Sequence, residues 1–412
     1  MRDSEFTIRQ EGDTIVMPAF ATAHSHAFQR ALRGRTQRRQ TEPGSFWSWR
    51  GLMYDLVSKL QPEDLLDISR FAFMELALSG VAAVGEFHYV HHQTDGTPYD
   101  DRTLLADAVI QAAREVGIRI TLIRTAYLRA GYRQDLTAAQ QRFRDRTTEE
   151  VLQDVATLRS RYHDAPDVKI AVAAHSIRAV PIGAVKELAD YARENGLPFH
   201  MHVAEQQREL EECKSEYGLP PVALLADHGV LDQNFVGIHA THLRDDEVQA
   251  LGQANATVCL CRTTERDLGD GLPRTSDLLR AGVNLCVGVD SHASSDAFEE
   301  IRAVELDERS RTETRTVAAE APRLLEMATK NGYEAIGMGA VWPADKAYLN
   351  ANHPALFAGD DASLPDRVLF TASPAAVTGL CVHTKELTCL TEAGRVGVFA
   401  KYRTALERLG LI

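Results

Sequence analysis

No run of apolar residues in the chain approaches the roughly 20 needed to cross a bilayer as a helix, which excludes a helical membrane span. The opening "MRDSEFTIRQEGD" lacks the apolar stretch of a secretory signal, so a cytoplasmic protein is expected. Cysteine is sparse. Cys213, Cys259, Cys261, Cys286, Cys381 and Cys389 are the six in 412 residues, too few for a disulfide framework. The apolar surroundings of Cys259, Cys261 and Cys286 predict buried reduced thiols. Cys259 and Cys261 stand too close for a zinc-knuckle pair, and no second pair follows, so they read as core. Positive charge is in deficit: 45 Lys and Arg against 58 Asp and Glu leave a formal charge of −13, which argues against a nucleic-acid surface. It does not argue against an acidic small ligand, because a few arginines in a pocket invert the local field. The arginine-rich "RALRGRTQRR" (30–39) reads as a solvated loop with one arginine turned inward, in preference to a phosphate patch. Repeats and low-complexity tracts are absent.

What is present is an alternation. Eight β-branched, apolar runs end in polar or ionisable residues: "TIVMPAFATAHSH", "AAVGEFHY", "RITLIRTAY", "VKIAVAAHS", "PFHMHVAE", "FVGIHATH", "TVCLCRTTE" and "NLCVGVDSH". Helical patterns separate them at 64–80, 101–117, 148–163 and 182–196, then in "PPVALLADHG", "RDDEVQALGQAN" and "TSDLLRAG", several closing on glycine. Nearly continuous hydrophobic strands alternating with helices predict a parallel sheet covered on both faces. Eight units in about 300 residues fit a (β/α)8 TIM-type barrel. The competing doubly wound sheet needs a glycine-rich phosphate loop after its first strand, and "HSHAFQR" is not one.

In such a barrel the chemistry gathers at the C-terminal strand ends. There the sequence places His24 and His26, Glu86 and Tyr89, His175, His202 and Glu205, His239, and Asp290. His24 and His26, two residues apart on an extended chain, project to one side. A hydrolytic zinc centre needs several N/O ligands, one open position and a group that moves protons. His24, His26, His202 and Asp290 could be ligands, with Glu205 and His239 beside the water. Each residue alone has a plainer reading: His24 and His26 as surface histidines, His200 and His242 as structural, Asp290 as a helix cap. The joint pattern favours a metal.

That pattern resembles the amidohydrolase superfamily, with HxH on the first barrel strand, histidines on the fifth and sixth, and aspartate on the eighth. "HSIRAV" after the fourth strand has no lysine to bridge two metals, which implies the single-metal type found in deaminases. "HSHAFQRAL", "FWSWRGLMYDL", "EFHYVHHQTDGTPY", "HSIRAV", "HVAEQ", "HATHL", "TTERDLGDG" and "DSHAS", spread from about residue 15 to about 310, are similar to the deiminases that hydrolyse N-formimino-L-glutamate. The resemblance implies zinc on His24, His26, His202 and Asp290, and catalysis by Glu205, His239 and Asp290. It further implies a dicarboxylate bound by Gln29, Arg50, Tyr89, His175 and Arg178. Guanidinium forks suit carboxylates, and Phe46, Trp47 and Trp49 beside Arg50 could keep water from such a pair or simply pack as core.

Two features depart from the family. "CRTTE" stands where relatives usually have "CPTTE", so Arg262 is expected to add a cation near the barrel mouth. Only 23 residues precede His24, so a small, reduced β-sandwich is expected from 1–18 and 340–412 around a barrel of 19–339. The expected activity is conversion of N-formimino-L-glutamate to N-formyl-L-glutamate and ammonia, as in histidine degradation. The alternatives are a deaminase of an aminopurine, guanidino acid or pterin, and an inactive zinc-binding protein. A homodimer is expected, with no nucleic-acid or membrane partner.

Overall fold

The computed structural model describes residues 7–37, 46–387 and 391–412. Two short strands, β1 (Arg9–Glu11) and β2 (Thr14–Pro18), open the described chain. Eight follow: β3 (Phe20–Ser25), β4 (Val81–His88), β5 (Arg119–Ala126), β6 (Val168–Ser176), β7 (Phe199–Val203), β8 (Phe235–His239), β9 (Thr257–Leu260) and β10 (Asn284–Val287). They pair in parallel, in sequence order, as one eight-stranded sheet. Its edges meet through a parallel bridge between Ser25 and Asp290. There the His26 N–H donates to the Asp290 carbonyl at 2.9 Å and the Asp290 N–H to the His24 carbonyl at 3.1 Å. Gly288 permits this approach, since a Cβ there would lie 2.7 Å from the His24 Cβ. The result is a nearly closed barrel.

The outer helices follow the hydrophobic pattern. In Leu104–Val116 the buried Leu105, Val109, Ala112, Ala113 and Val116 recur at helical spacing, and the helix stops at Gly117 with φ 97°. The other helical stretches read from the sequence appear as Pro62–Leu78, Thr148–Arg161, Ile182–Glu194, Pro221–Asp227, Asp245–Gln253 and Thr275–Arg280. Among the described residues no helix is long and apolar enough to cross a membrane.

The chain ends differ from expectation. "TIVMPAFATAHSH" is two strands. β2 ends at Pro18, and only the part from Phe20 enters the barrel. β2 instead joins β1 and three later strands, β11 (Lys346–Asn350), β12 (Val377–Val382) and β13 (Lys385–Glu386), in one antiparallel sheet of order β1-β2-β11-β12-β13. Among the described residues these strands form one antiparallel layer, where a sandwich was expected. Ile15, Met17, Ala347, Leu349, Leu380 and Val382 bury their side chains in the core shared with the barrel, so the barrel supplies the second layer. The segment "EAGRV" expected to continue the β structure begins a helix, Glu392–Arg408. Its Tyr402 stacks on Phe71 of the helix Pro62–Leu78 with ring centroids 4.0 Å apart. Residues 1–6 and Cys389 lie outside the described residues.

One buried carboxylate joins sheet and barrel. Asp345, just before β11, receives the Arg119 guanidinium of β5 through Nε at 2.7 Å and Nη2 at 3.0 Å. It also accepts from the Tyr333 hydroxyl at 2.9 Å and the His383 N–H at 3.0 Å. Both charged groups are almost wholly buried. Asp345→Ala leaves the Arg119 cation unpaired in the interior, and the expected cost is about 3–5 kcal/mol. Urea unfolding of the two proteins checks this; a loss below about 1 kcal/mol would show the pair to be dispensable.

Candidate active site

His24 lies within β3 and His26 one residue beyond it, and both reach the same point as His202 of β7. The His202 Nε2 is 3.1 Å from the His24 Nε2 and 3.4 Å from the His26 Nε2. The Asp290 Oδ1 is 3.4 Å from the Nε2 of both His24 and His26. The other ring nitrogens of two of these histidines are engaged: His26 Nδ1–H donates to the Phe87 carbonyl at 3.0 Å, and His202 Nδ1–H to the His175 carbonyl at 2.9 Å. With the proton held on Nδ1, each Nε2 presents a lone pair to the shared point. Burial pushes His24 and His202 well below the ordinary histidine pKa, and His26 to about 3, so the rings are neutral. Neutral imidazole lone pairs aimed at each other beside a carboxylate repel unless a cation lies between them. His24, His26, His202 and Asp290 thus fit a metal ion, and their donor atoms lie within 4.8 Å of one another.

The backbone and a buried acid hold this arrangement. His239 and Asp290 both have positive φ, 73° and 50°, an uncommon conformation for side-chain-bearing residues that turns the chain off the sheet at the barrel mouth. Under the HxH turn, Glu86 of β4 accepts from the Ser25 hydroxyl at 2.5 Å and the Ala27 N–H at 2.7 Å. Burial raises the Glu86 carboxyl to about 8 against those two bonds. Asp290 does not cap the next helix; Asp296 does, accepting from the N–H groups of Phe298 at 2.9 Å and Glu299 at 3.1 Å.

Beside the cluster, the Nε2 of His239, at the end of β8, is 3.7 Å from the Glu205 Oε1 and 3.7 Å from the Asp290 Oδ2. Its Nδ1–H donates to Glu265 at 3.1 Å. Burial disfavours charging this ring, but the three carboxylates outweigh it and raise His239 to about 10. Burial lifts Asp290 to about 7, against the pull of His239. Proton donors and acceptors therefore stand together beside the His24, His26, His202 and Asp290 cluster, in a setting suited to acid–base work.

These groups open into one cavity at the barrel mouth. It brings together His26, His202, Glu205, His239 and Asp290 with all five residues expected to bind substrate: Gln29, Arg50, Tyr89, His175 and Arg178. His24 is buried beneath. The Gln29 amide donates to the Tyr89 hydroxyl at 3.0 Å. Arg50, on the helix Phe46–Lys59, bonds the Tyr54 hydroxyl and lies 5.2 Å over its ring. His175 packs against Tyr127 and Tyr89, ring centroids 4.9 and 5.3 Å apart, and burial keeps it well below its ordinary pKa. The cavity also has walls not singled out in the sequence: Trp49, whose two proposed roles the sequence left open, Met53, Tyr54, Tyr127, Phe143 and Leu268. Tyr54 is one helical turn from Arg50, and Tyr127 ends "RITLIRTAY", so spacing could have found both. Nothing local marks Phe143. The side chains of Phe46 and Trp47 lie outside the described residues.

Two expectations change, and one contact is new. Arg262 is not a free cation at the mouth: it is buried, paired with Glu265 and Asp307, and does not line the cavity. In the arginine-rich stretch, two arginines turn inward, not one. Arg30 and Arg33 both bond Glu75, and the Arg30 guanidinium lies 4.9 Å from the Phe71 ring centroid and 5.5 Å from that of Tyr402; Arg38 and Arg39 lie outside the described residues. Glu265, absent from the sequence reading, contacts His239 directly. His200 is structural, bonded to the Ala335 carbonyl at 3.0 Å.

An eight-stranded parallel barrel with a His/Asp cluster at its C-terminal mouth defines a class, and comparison with known proteins agrees. Residues 15–368 match the amidohydrolase family, and the chain belongs to it. It is a hydrolase of carbon–nitrogen bonds other than peptide bonds. The chain is 35% identical to the formimidoylglutamate deiminase of Pseudomonas aeruginosa, over 89% of its own length and 83% of that protein. It is 27% identical to a 5-methylthioadenosine/S-adenosylhomocysteine deaminase of Moorella thermoacetica, over 81% and 71% of the two chains. The crystal structure of an amidohydrolase from Brucella melitensis superposes with a TM-score of 0.89 at 28% identity, over 98% of this chain and 95% of that one.

His202→Ala removes one of three convergent imidazoles without touching the barrel seam. Metal analysis should find about one divalent ion per chain in the parent and most of it lost in the variant, with the circular dichroism spectrum unchanged. Two tightly held ions per parent chain, or full retention in the variant, would contradict a single site built on His202.

Proposed function

We propose that the protein is a zinc-dependent deiminase that hydrolyses N-formimino-L-glutamate to N-formyl-L-glutamate and ammonia. One observation carries the reading: Arg50 and Arg178 share a single cavity with the His/Asp cluster and its proton-transfer groups. Neither arginine is needed for hydrolysis at a metal, whereas two guanidiniums facing one small cavity suit a substrate with two carboxylates. The likeness to the Pseudomonas aeruginosa formimidoylglutamate deiminase supports the same substrate.

Three imidazoles and one carboxylate suit zinc among the divalent metals. A zinc ion bound there would acidify a coordinated water to a pKa of about 7. The residues then divide the work. Arg50 and Arg178, with Gln29, Tyr89 and His175, hold the glutamate portion so that the formimino carbon faces the cluster. Asp290 takes the proton of the attacking water, and His239, 3.7 Å from its carboxylate, steers that proton. Glu205, equally close to His239, delivers a proton to the amidine nitrogen, which leaves as ammonia while the carbon keeps the oxygen. The buried setting strengthens each of these electrostatic contacts.

A second reading rests on the aromatic walls. Trp49, Tyr54, Tyr89, Tyr127 and Phe143 could stack an aminopurine or pterin, and a purine-nucleoside deaminase is among the relatives. A heterocycle offers neither arginine a substrate carboxylate, so a substrate panel scored by ammonia release separates the readings. The zinc-loaded protein should be active on N-formimino-L-glutamate and poor on adenosine, guanine and uncharged formamidines. Arg178→Met should lower kcat/KM for the dicarboxylate by roughly ten- to a hundredfold, the loss of a charge-assisted hydrogen bond worth about 1.5–3 kcal/mol. Unchanged rates in both Arg178→Met and Arg50→Met would move the assignment to another C=N substrate.

Glu205→Gln keeps the shape of the side chain but removes its proton. Turnover should fall by roughly 10² or more with metal content unchanged. Loss of metal in that variant would instead make Glu205 a ligand.

A further inference from the structure

We propose that Glu265, locked by Arg262 and Asp307, is a positioning residue that holds His239 in one tautomer and ring angle for hydrolysis. The inference rests on His239 acting at the reacting centre, as in the function proposed above, but not on the identity of the substrate.

Glu265 is wholly buried and lies outside the cavity, so it cannot touch substrate. Its Oε1 accepts two hydrogen bonds, from His239 Nδ1–H at 3.1 Å and from the Cys261 N–H at 2.9 Å. Its Oε2 pairs with the Arg262 Nη1. Arg262 is as deeply buried, and its Nε donates to the Asp307 Oδ2 at 2.8 Å. Asp307 is held in turn by Arg266 Nη2 at 2.7 Å. Four charged side chains thus alternate in sign from the protein surface to the back of the His239 ring.

The geometry has a chemical consequence. An ionised carboxylate only accepts hydrogen bonds, so it keeps the proton of a neutral imidazole on Nδ1. The Nε2 lone pair then faces Glu205 and Asp290, each 3.7 Å away, where the reacting atoms must sit. With the opposite tautomer, Nε2–H would donate to one of those carboxylates, and no ring lone pair would face the water. If the ring takes up a proton during turnover, Glu265 also stabilises the imidazolium, as the orienting carboxylate does in a Ser-His-Asp triad. Arg262 explains how a buried carboxylate stays ionised whether or not His239 carries its second proton: its guanidinium balances the charge permanently. The arginine that the sequence placed as a cation near the barrel mouth is committed to this pairing.

The test uses metal-loaded Glu265→Gln and Arg262→Met, with the double variant Arg262→Met/Glu265→Gln as the charge-balanced control for folding. A glutamine can present its amide N–H to the ring, which favours the wrong tautomer without changing shape. In Glu265→Gln, kcat should fall about 10- to 100-fold, with KM changed less than about twofold and metal per chain unchanged; the double variant should share the defect. Glu265→Asp, which restores a carboxylate, should recover part of kcat. The 15N spectrum of histidine-labelled parent should show His239 protonated at Nδ1, and that signal should be lost in the glutamine variants. Unchanged kcat in a folded variant, a loss confined to KM, or a parent His239 protonated only at Nε2 would each overturn the proposal. If N-formimino-L-glutamate is not turned over but another C=N substrate is, the substrate reading fails, and the kcat split is read with that substrate. If none is turned over, the 15N result alone decides, since it needs no substrate.

Discussion

The pairing of the first and last barrel strands is the constraint on which everything else depends. Two backbone hydrogen bonds across the seam, His26 to Asp290 and Asp290 to His24, close the sheet. The same bonds set the HxH pair beside the aspartate that completes its ligand set. Residues 264 positions apart in sequence (290 − 26) become neighbours because the barrel can close in only one register. Gly288 shows how tight this is: any side chain there would strike His24 before the seam formed. Closure of the fold and assembly of the candidate metal centre are therefore one event.

Around that point the molecule separates neutral from charged groups. Three imidazoles are buried and kept uncharged, their spare protons tied to backbone carbonyls where a partner is present, so the only charge offered to a cation is that of Asp290. A few ångströms away His239 sits among three carboxylates, one of them neutralised from behind by Arg262. The cavity floor thus carries negative charge and proton-transfer groups, while Arg50 and Arg178 bring positive charge to its walls. A protein with a formal charge of −13 can in this way offer an acidic small molecule a locally favourable field.

The accessory sheet is secondary to the barrel in physical terms. Among the described residues it is one layer whose apolar face packs on the barrel, and the buried Asp345–Arg119 pair ties it to β5. The C-terminal helix serves a similar end on another side, where Tyr402 covers Phe71 and caps the Arg30 guanidinium. Both peripheral elements brace the base and flank of the barrel without contributing to the cavity walls.

Much of this was readable in the chain itself, for definite reasons. Strand–helix alternation and hydrophobic continuity are local properties, so the eight barrel strands and most helices could be placed from pattern alone. Because a barrel directs strand ends to one mouth, His24, His26, His202, Glu205, His239 and Asp290 could be grouped before any coordinates. The sequence could not divide "TIVMPAFATAHSH" into two sheets, since both halves are equally apolar and only their partners differ. It could not show that Arg262 is consumed by Glu265 and Asp307, because a charge's solvation depends on what packs over it. Nor could it reveal Glu265 behind His239, 26 residues away and brought into contact only by the adjacency of β8 and β9. Identity and order of the chemical groups belong to the sequence; which charges stay free, and which are neutralised by a buried neighbour, was decided by tertiary packing.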